Sequence, residues 1–313
     1  MEKDFSELLA HWRESIFSFQ VRQWLEVIRN NTSIETVTID LSLSDDSIWK
    51  RDQLRALMEA IGSLPKLTKL VCQQNLVGQP RRNAPTDALV HGIRKTHSLE
   101  HFELWGTAIS EQGRGIVDNL VTVLKGCSEL QTLKILGFHL TLPYVVMFTS
   151  LMQMPNMKDF ALGNSSDGFL PVAQGLADNK NIEHLTLCYL DHIEDSICFG
   201  LVDALRYNTS LDTLSLLNTS PSNNSSGISD RSHDALIRML EENMNLSELK
   251  TRGTPSADIQ FYLKLNRAGR RHLFYNHELT RDDWIERVVS SRDDMDCSYY
   301  FLAMNPSVCV DAI

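Results

Sequence analysis

The 313-residue chain has no apolar run approaching the roughly 18 to 20 residues that cross a bilayer. Its opening, Met1-Glu2-Lys3-Asp4, leads into an amphipathic stretch and not into the apolar core of a secretory leader, so an intracellular, cytoplasmic protein off the membrane is expected. It also lacks an excess of basic residues. With a net charge of -10 it has no surplus of Lys and Arg to line a phosphate-binding face, and neither nucleic acid nor an anionic membrane is expected as a partner. Such acidity keeps copies of a soluble chain apart, and a monomer is the corresponding expectation. Six cysteines, at 72, 127, 188, 198, 297 and 309, show no C-x-x-C spacing, which favours reduced, buried thiols over a disulfide frame or zinc site. N-x-S/T triplets at Asn31, Asn164, Asn208, Asn218 and Asn245 are read as turn chemistry in the absence of a leader.

Catalytic phrases are missing as well. There is no P-loop, H-E-x-x-H, G-x-S-x-G or EF-hand pattern, each of which would fix a nucleophile, metal or phosphate in a local geometry. No catalytic residue, cofactor or metal is therefore expected. The run Asp191, His192, Glu194 and Asp195 reads as a solvated helix entry, where acidic groups complement the helix dipole, with metal binding as the alternative.

What the chain does have is one short phrase, apolar-x-x-apolar-x-apolar, returning eight times: Ile34-Val37-Ile39, Leu67-Leu70-Cys72, Leu99-Phe102-Leu104, Leu130-Leu133-Ile135, Met157-Phe160-Leu162, Ile182-Leu185-Leu187, Leu211-Leu214-Leu216 and a degenerate Leu246-Leu249-Thr251. The 212 residues from Ile34 to Leu246 give about 30 per interval, at the upper edge of leucine-rich units. A small polar phrase precedes each copy, as in NKN or NTS, and a helix-like segment follows it. Leu54, Leu57, Met58 and Ile61 keep the i, i+3, i+4, i+7 spacing; Ile116, Leu120 and Leu124, and Ile197, Leu201 and Leu205, keep i, i+4, i+8. Thr86, Ser110 and Ser232 are the expected helix N-caps. A doubly wound α/β sheet would need continuous Val/Ile strands, and a dinucleotide-binding one G-x-G-x-x-G after the first strand; neither occurs.

These phrases, with a helix in every unit and a small or polar residue after most cores (Ser42, Asn75, Thr107, Ser165, Thr219, Thr254), resemble the leucine-rich repeats of the ribonuclease-inhibitor type. Phe138 and Leu190 depart from that pattern. The resemblance implies an α/β solenoid, a horseshoe with a parallel sheet on the concave face and helices on the convex face. It also implies that the position after the core is commonly Asn or Cys, which only Asn75 matches well. For function it implies only a class, because such repeats serve inhibitors, GTPase activators, ubiquitin-ligase receptors and immune sensors. A Ran-type activator would use a loop asparagine, for which Asn75 is the candidate. A ligase receptor would need an F-box, and the first 33 residues are too short for one.

The expected organisation is a helical cap over 1–33, about eight repeats over 34–255 and a helical capping segment over 256–313, since a repeat stack needs polar ends. In the last segment, LNRAGR (Leu265 to Arg270) and NPSVC (Asn305 to Cys309) resemble phrases that close many uncharacterised leucine-rich-repeat proteins of microbial eukaryotes. Arg267, Arg270 and Arg271 are expected in water or paired with Asp282 and Asp283, with phosphate binding as the alternative.

If Leu99, Phe102 and Leu104 are buried, then His101, Glu103 and Trp105 face outward on the concave sheet. The outer row across the strands reads Asp40, Gln73, Trp105, Leu136, Gly163, Cys188, Leu217, Arg252, and its neighbour Thr38, Val71, Glu103, Lys134, Ala161, Thr186, Ser215, Lys250. An apolar centre with a polar rim suits a protein interface. The expected partner is a protein, bound by Trp105, Leu136 and Leu217 with Glu103, Lys134 and His184 around them; the alternative is a Trp105 folded over the adjacent loop, or a row covered by the C-terminal segment.

Overall fold

The computed structural model describes residues 25–40, 51–74, 84–96, 98–106, 114–137, 140–163, 169–189, 195–218, 229–251, 253–271 and 279–306. Each apolar-x-x-apolar-x-apolar phrase forms a short strand: β1 Thr36–Asp40, β2 Lys69–Gln74, β3 His101–Gly106, β4 Thr132–Leu136, β5 Asp159–Leu162, β6 His184–Tyr189, β7 Thr213–Asn218 and β8 Glu248–Lys250. They form one parallel sheet in the order β1-β2-β3-β4-β5-β6-β7-β8, so every strand lies beside its successor in sequence. The register puts Val37, Leu70, Phe102, Leu133, Phe160, Leu185, Leu214 and Leu249 in one row. Because side chains alternate across a strand, this row and the next core row, through Cys72, Leu104 and Ile135, share one face and bury completely. The first and last copies are looser: Ile34 is half-buried and Thr251 is partly exposed.

Parallel neighbours need a crossover, and each is helical. The helices are α1 Arg51–Gly62, α2 Ala84–Ile93, α3 Arg114–Lys125, α4 Leu142–Thr149, α5 Leu170–Ala177, α6 Asp195–Tyr207 and α7 Asp230–Glu242. Their apolar stripes lie in the same core as the inward strand residues, with Leu54, Leu57, Met58 and Ile61 of α1 each at most 3% exposed. Two N-cap expectations need correcting. Thr86 lies inside α2, and Ser229, not Ser232, caps α7, because Ser229 stands three residues ahead and its hydroxyl accepts from Ser232 N–H. Ser110 lies outside the described residues.

A parallel stack has no hairpin to set its register, and two sets of hydrogen bonds do it here. At the strand entrances one carbonyl of each unit accepts two N–H groups of the next: Glu35 O takes Thr68 and Lys69, Thr68 O takes Glu100 and His101, and the pattern continues to Asp212 O with Ser247 and Glu248. The second set is made by asparagines three residues ahead of a strand core. Asn208 is 2% exposed; its Oδ1 accepts from Ser210 N (3.0 Å) and Leu211 N (2.8 Å) in its own turn, while its Nδ2 donates to Leu176 O and Asn179 O of the preceding unit, both at 2.9 Å. Asn179 and Asn243 repeat the arrangement, donating to Met152 O and to Leu205 O and Asn208 O. The N-x-S/T triplet at Asn208 is thus a buried structural element, its amide wholly engaged.

The phrase LNRAGR ends this ladder. In α8 (Ala257–Arg267), Asn266 Nδ2 donates to Asn243 O (3.1 Å) and Leu246 O (2.8 Å) of the last repeat. The turn at Gly269, φ +87°, then directs Arg270 inward, where its guanidinium donates to Leu240 O (2.5 Å) and Asn243 O (2.9 Å) at the carbonyl end of α7. Gly269 suits that turn because positive φ carries no penalty without a Cβ. The surface reading of the three arginines is corrected for this one: Arg270 is 2% exposed, because its guanidinium engages carbonyls left open at the end of α7. Arg267 and Arg271 remain outside, bonded to Ser247 O and Thr209 O, and Asp283 is occupied in a capping box with Thr280. The three do not form one phosphate-facing cluster. Two helices follow, α9 Arg281–Ser290 and α10 Met295–Met304.

Asn208→Ala should lower stability by about 2–4 kcal/mol, from several buried hydrogen bonds worth about 1 kcal/mol each. Asn208→Asp should do no better, since it keeps the acceptor but turns a carboxylate on two carbonyls; urea midpoints of the three proteins measure this. Gly137→Ala should cost about 1–3 kcal/mol by the same assay, because Gly137 has φ +77° and an added Cβ would lie 2.4 Å from Gly106 O.

Candidate functional site

The outward residues of the strands form three rows. Pairing places Lys69, His101, Thr132, Asp159, His184, Thr213 and Glu248 in the first, and Val71, Glu103, Lys134, Ala161, Thr186, Ser215 and Lys250 in the second. The third brings Gln73 beside Trp105, Trp105 beside Leu136, and Cys188 beside Leu217. Register pairs Trp105 with Leu136 and Cys188 with Leu217, and packing of Leu136 and Cys188 with Ala161 joins the two pairs along one edge of the concave face.

Their exposure differs. Trp105 is 42% exposed and Leu217 39%, whereas Leu136 and Cys188 are each 8% exposed and join Ala161 in a small apolar cluster separate from the main core. Gly163 extends that packed region: a Cβ there would meet Gly137 N at 2.8 Å and Leu136 Cα at 3.0 Å. The row is therefore accessible toward its two ends and closed between them. Leu136 belongs to the floor of this surface.

Trp105 is anchored through its polar edge. Its indole N–H donates to Glu103 Oε1, and the other oxygen of that carboxylate lies 3.2 Å from His101 Nε2. Three side chains from one face of β3 make a closed chain in which the only buried-prone donor of the tryptophan is satisfied, so the ring is held by geometry while its apolar face stays in solvent. Lys134 pairs across strands with Asp159 at 3.1 Å, both partly buried. His184 is exposed and stands three strands from His101, roughly 14 Å at about 4.8 Å per strand, too far to share a ligand atom.

His101 is held below the ordinary imidazole value of 6.5, chiefly by burial and further by Lys69 and Lys134; Glu103 opposes this but does not outweigh it. The folded chain therefore binds this proton less readily than the unfolded one. Its contribution to stability is complete above about 6.5 and declines as pH falls through the interval down to the folded value.

Elsewhere, Asp195 at the head of α6 accepts from the hydroxyls of Ser229 and Ser232, which draws its carboxyl below the usual range and ties α6 to α7. The rest of the acidic run, 191–194, lies outside the described residues, as do Asn75 and residues 1–24, on which the activator and F-box comparisons turned. The asparagines and Arg270 escaped the sequence reading as inter-repeat donors. One signal was present: Asn31, Asn179, Asn208 and Asn243 each stand three residues ahead of the first core residue of a strand.

Eight strands in sequential parallel order, a helix between each pair and a leucine-rich inner row decide the architecture. The fold is a leucine-rich-repeat solenoid. Among solved structures, the solenoid is similar to a tropomodulin C-terminal domain of Caenorhabditis elegans, at 12% identity and TM-score 0.30 over 60% of this chain and 92% of that one. It is also similar to TLR13 in a TLR13-ssRNA13 complex, at 12% identity and TM-score 0.37 over 71% of this chain; the match spans about a third of TLR13, 36%. No family model matches the chain, and no curated protein matches it. No described helix is long and apolar enough to cross a membrane.

An NMR titration should place the His101 midpoint below 6.5. Glu103→Gln should move it further down, since the carboxylate raises it, and Lys69→Met should move it up; shifts in the opposite sense would refute the described environment.

Proposed function

We propose that this chain is a non-enzymatic interaction module of the ribonuclease-inhibitor-like type that binds a protein partner across its concave face. The observation that carries the reading is the state of Trp105: a large ring 42% exposed, aligned with Leu217, with its N–H already bonded to Glu103. A ring fixed in this way loses little conformational freedom on binding, and tryptophan is the commonest kind of interface anchor. Trp105 and Leu217 are the apolar contacts, about four strands or roughly 19 Å apart, within the reach of an ordinary protein interface. Leu136 supports the floor between them. Glu103 and Lys134 supply hydrogen bonds and charge beside the ring, and His184 does so on the strand next to that of Leu217.

An intracellular, cytoplasmic monomer is part of the same reading. It is supported by five described cysteines that are all free and buried, and by burial of the Asn208 amide that a glycan would need. The helix in every unit and the period of about 30 residues support the repeat type.

The test is affinity purification from native cells with the wild-type chain and Trp105→Ala. The partner captured by the wild type should bind the variant at least about tenfold more weakly, the loss typical of a central anchor. Equal affinity in a variant with an unchanged urea midpoint would overturn the proposal.

A further inference from the structure

A second surface lies at the far end of the solenoid, where α8 and α10 pack together. Leu265, Cys297 and Phe301 form a small core there, with Phe261, Tyr262 and Tyr300 against it. Over this core opens a groove of about 500 Å³, lined chiefly by Asp258 and Phe261 of α8 and by Asp296, Tyr299 and Tyr300 of α10. The spacings, i and i+3 on one helix and i, i+3 and i+4 on the other, put each set on one helix face. Its volume falls within the range of small-ligand sites, roughly 300–1,000 Å³.

The lining has a definite chemistry. Among the described residues it holds two carboxylates, three aromatic rings and no cation. The carboxylates are not spent on capping: Ser256 caps α8 and Asp294 caps α10, each accepting the N–H that a capping residue serves. Lys264 feels Asp296 but is bonded to Asp294 at 2.7 Å. Phe261 and Tyr300 meet edge to face with centroids 6.2 Å apart, and Tyr299 is 75% exposed. The same aromatic cluster already receives one guanidinium from its inner side. Arg270 lies 5.3 Å over the Tyr262 ring and interacts with Tyr300.

We propose that this groove binds an arginine side chain carried on an extended segment of a protein partner. The planar guanidinium suits a site of ring faces and carboxylates, because it stacks, carries five donors and sheds water more readily than an ammonium. The acidic chain attracts such a segment before contact. This surface is separate from the concave face and its occupancy does not depend on Trp105.

The experiment titrates the full chain with acetyl-Gly-Gly-Arg-Gly-Gly-amide to about 10 mM, a range suited to a single anchoring side chain. The tyrosine ring resonances are followed by NMR, with matched peptides in which citrulline or lysine replaces arginine. The arginine peptide should saturate in the millimolar range, and the neutral citrulline peptide should bind at least about fivefold more weakly, with lysine between them. Tyr299→Ala and the double change Asp258→Asn, Asp296→Asn should each weaken the arginine peptide about three- to fivefold. Trp105→Ala should leave it unchanged, so failure here and failure of the concave-face reading are distinguishable. Absence of saturable shifts, equal binding of the citrulline or lysine peptide, unchanged affinity in folded variants, or loss on Trp105→Ala would each overturn the proposal. If a groove variant does not fold, the arginine and citrulline comparison in the unaltered chain still decides.

Discussion

Register between units is the constraint on which everything else in this molecule depends. A β-hairpin fixes the alignment of its strands through a tight turn, but parallel strands joined by helices have no such link, and a one-residue slip would carry a whole row to the opposite face. The chain meets the constraint at the strand entrances, where successive carbonyls each take two N–H groups of the next unit, and it is reinforced unevenly beyond that. From Asn179 onward a buried amide keys every turn to the preceding one. In the second to fifth units the same position is held by Leu64, Thr96, Cys127 and Met154. None of these donates across units among the described residues: the Thr96 hydroxyl has no partner, and the Cys127 thiol bonds back to Val123 O in its own unit. Fewer specific links should let that half open at lower cost than the half closed by Asn266 and Arg270.

Much of this was legible in the sequence. The core rows follow from an apolar phrase repeated eight times, and alternation along a strand then assigned His101, Glu103 and Trp105 to the other face without further information. The roles of Asn208 and Asn243 were half legible. Their turn-forming side appears within three residues of sequence, but the carbonyls they donate to lie 29 to 38 residues earlier and become neighbours only through the stack. Arg270 was misread for a related reason. Its sequence neighbours are exposed arginines, whereas its partners are the carbonyls at the end of α7. Burial of Leu136 was equally hidden, since its row position matches that of exposed Trp105 and only the packing of Ala161, Gly163 and Cys188 distinguishes them.

Both faces proposed as partner sites derive their character from neighbours that are already satisfied. Trp105 can present a ring because Glu103 has taken its N–H, and Glu103 is itself held by His101. The aromatic cluster at the far end can present Tyr300 because Arg270, Phe261 and Phe301 hold its inner side. For Trp105 this internal pairing removes the polar cost that an exposed aromatic residue would otherwise carry into an interface.

The asparagine ladder also gives the solenoid a kind of grammar. Each rung reaches back with a donor and offers its own carbonyl forward, so every unit in that half presents the same sockets it requires. A duplicated unit inserted between Asn179 and Asn208 would arrive with a matching connector at both ends, and the array could lengthen without redesign of either neighbour. The closing phrase LNRAGR interrupts this translational rule. Asn266 reaches back as a rung does, but Arg270 occupies the carbonyls where a further unit would engage, so the number of repeats is limited by a stop written in only six residues.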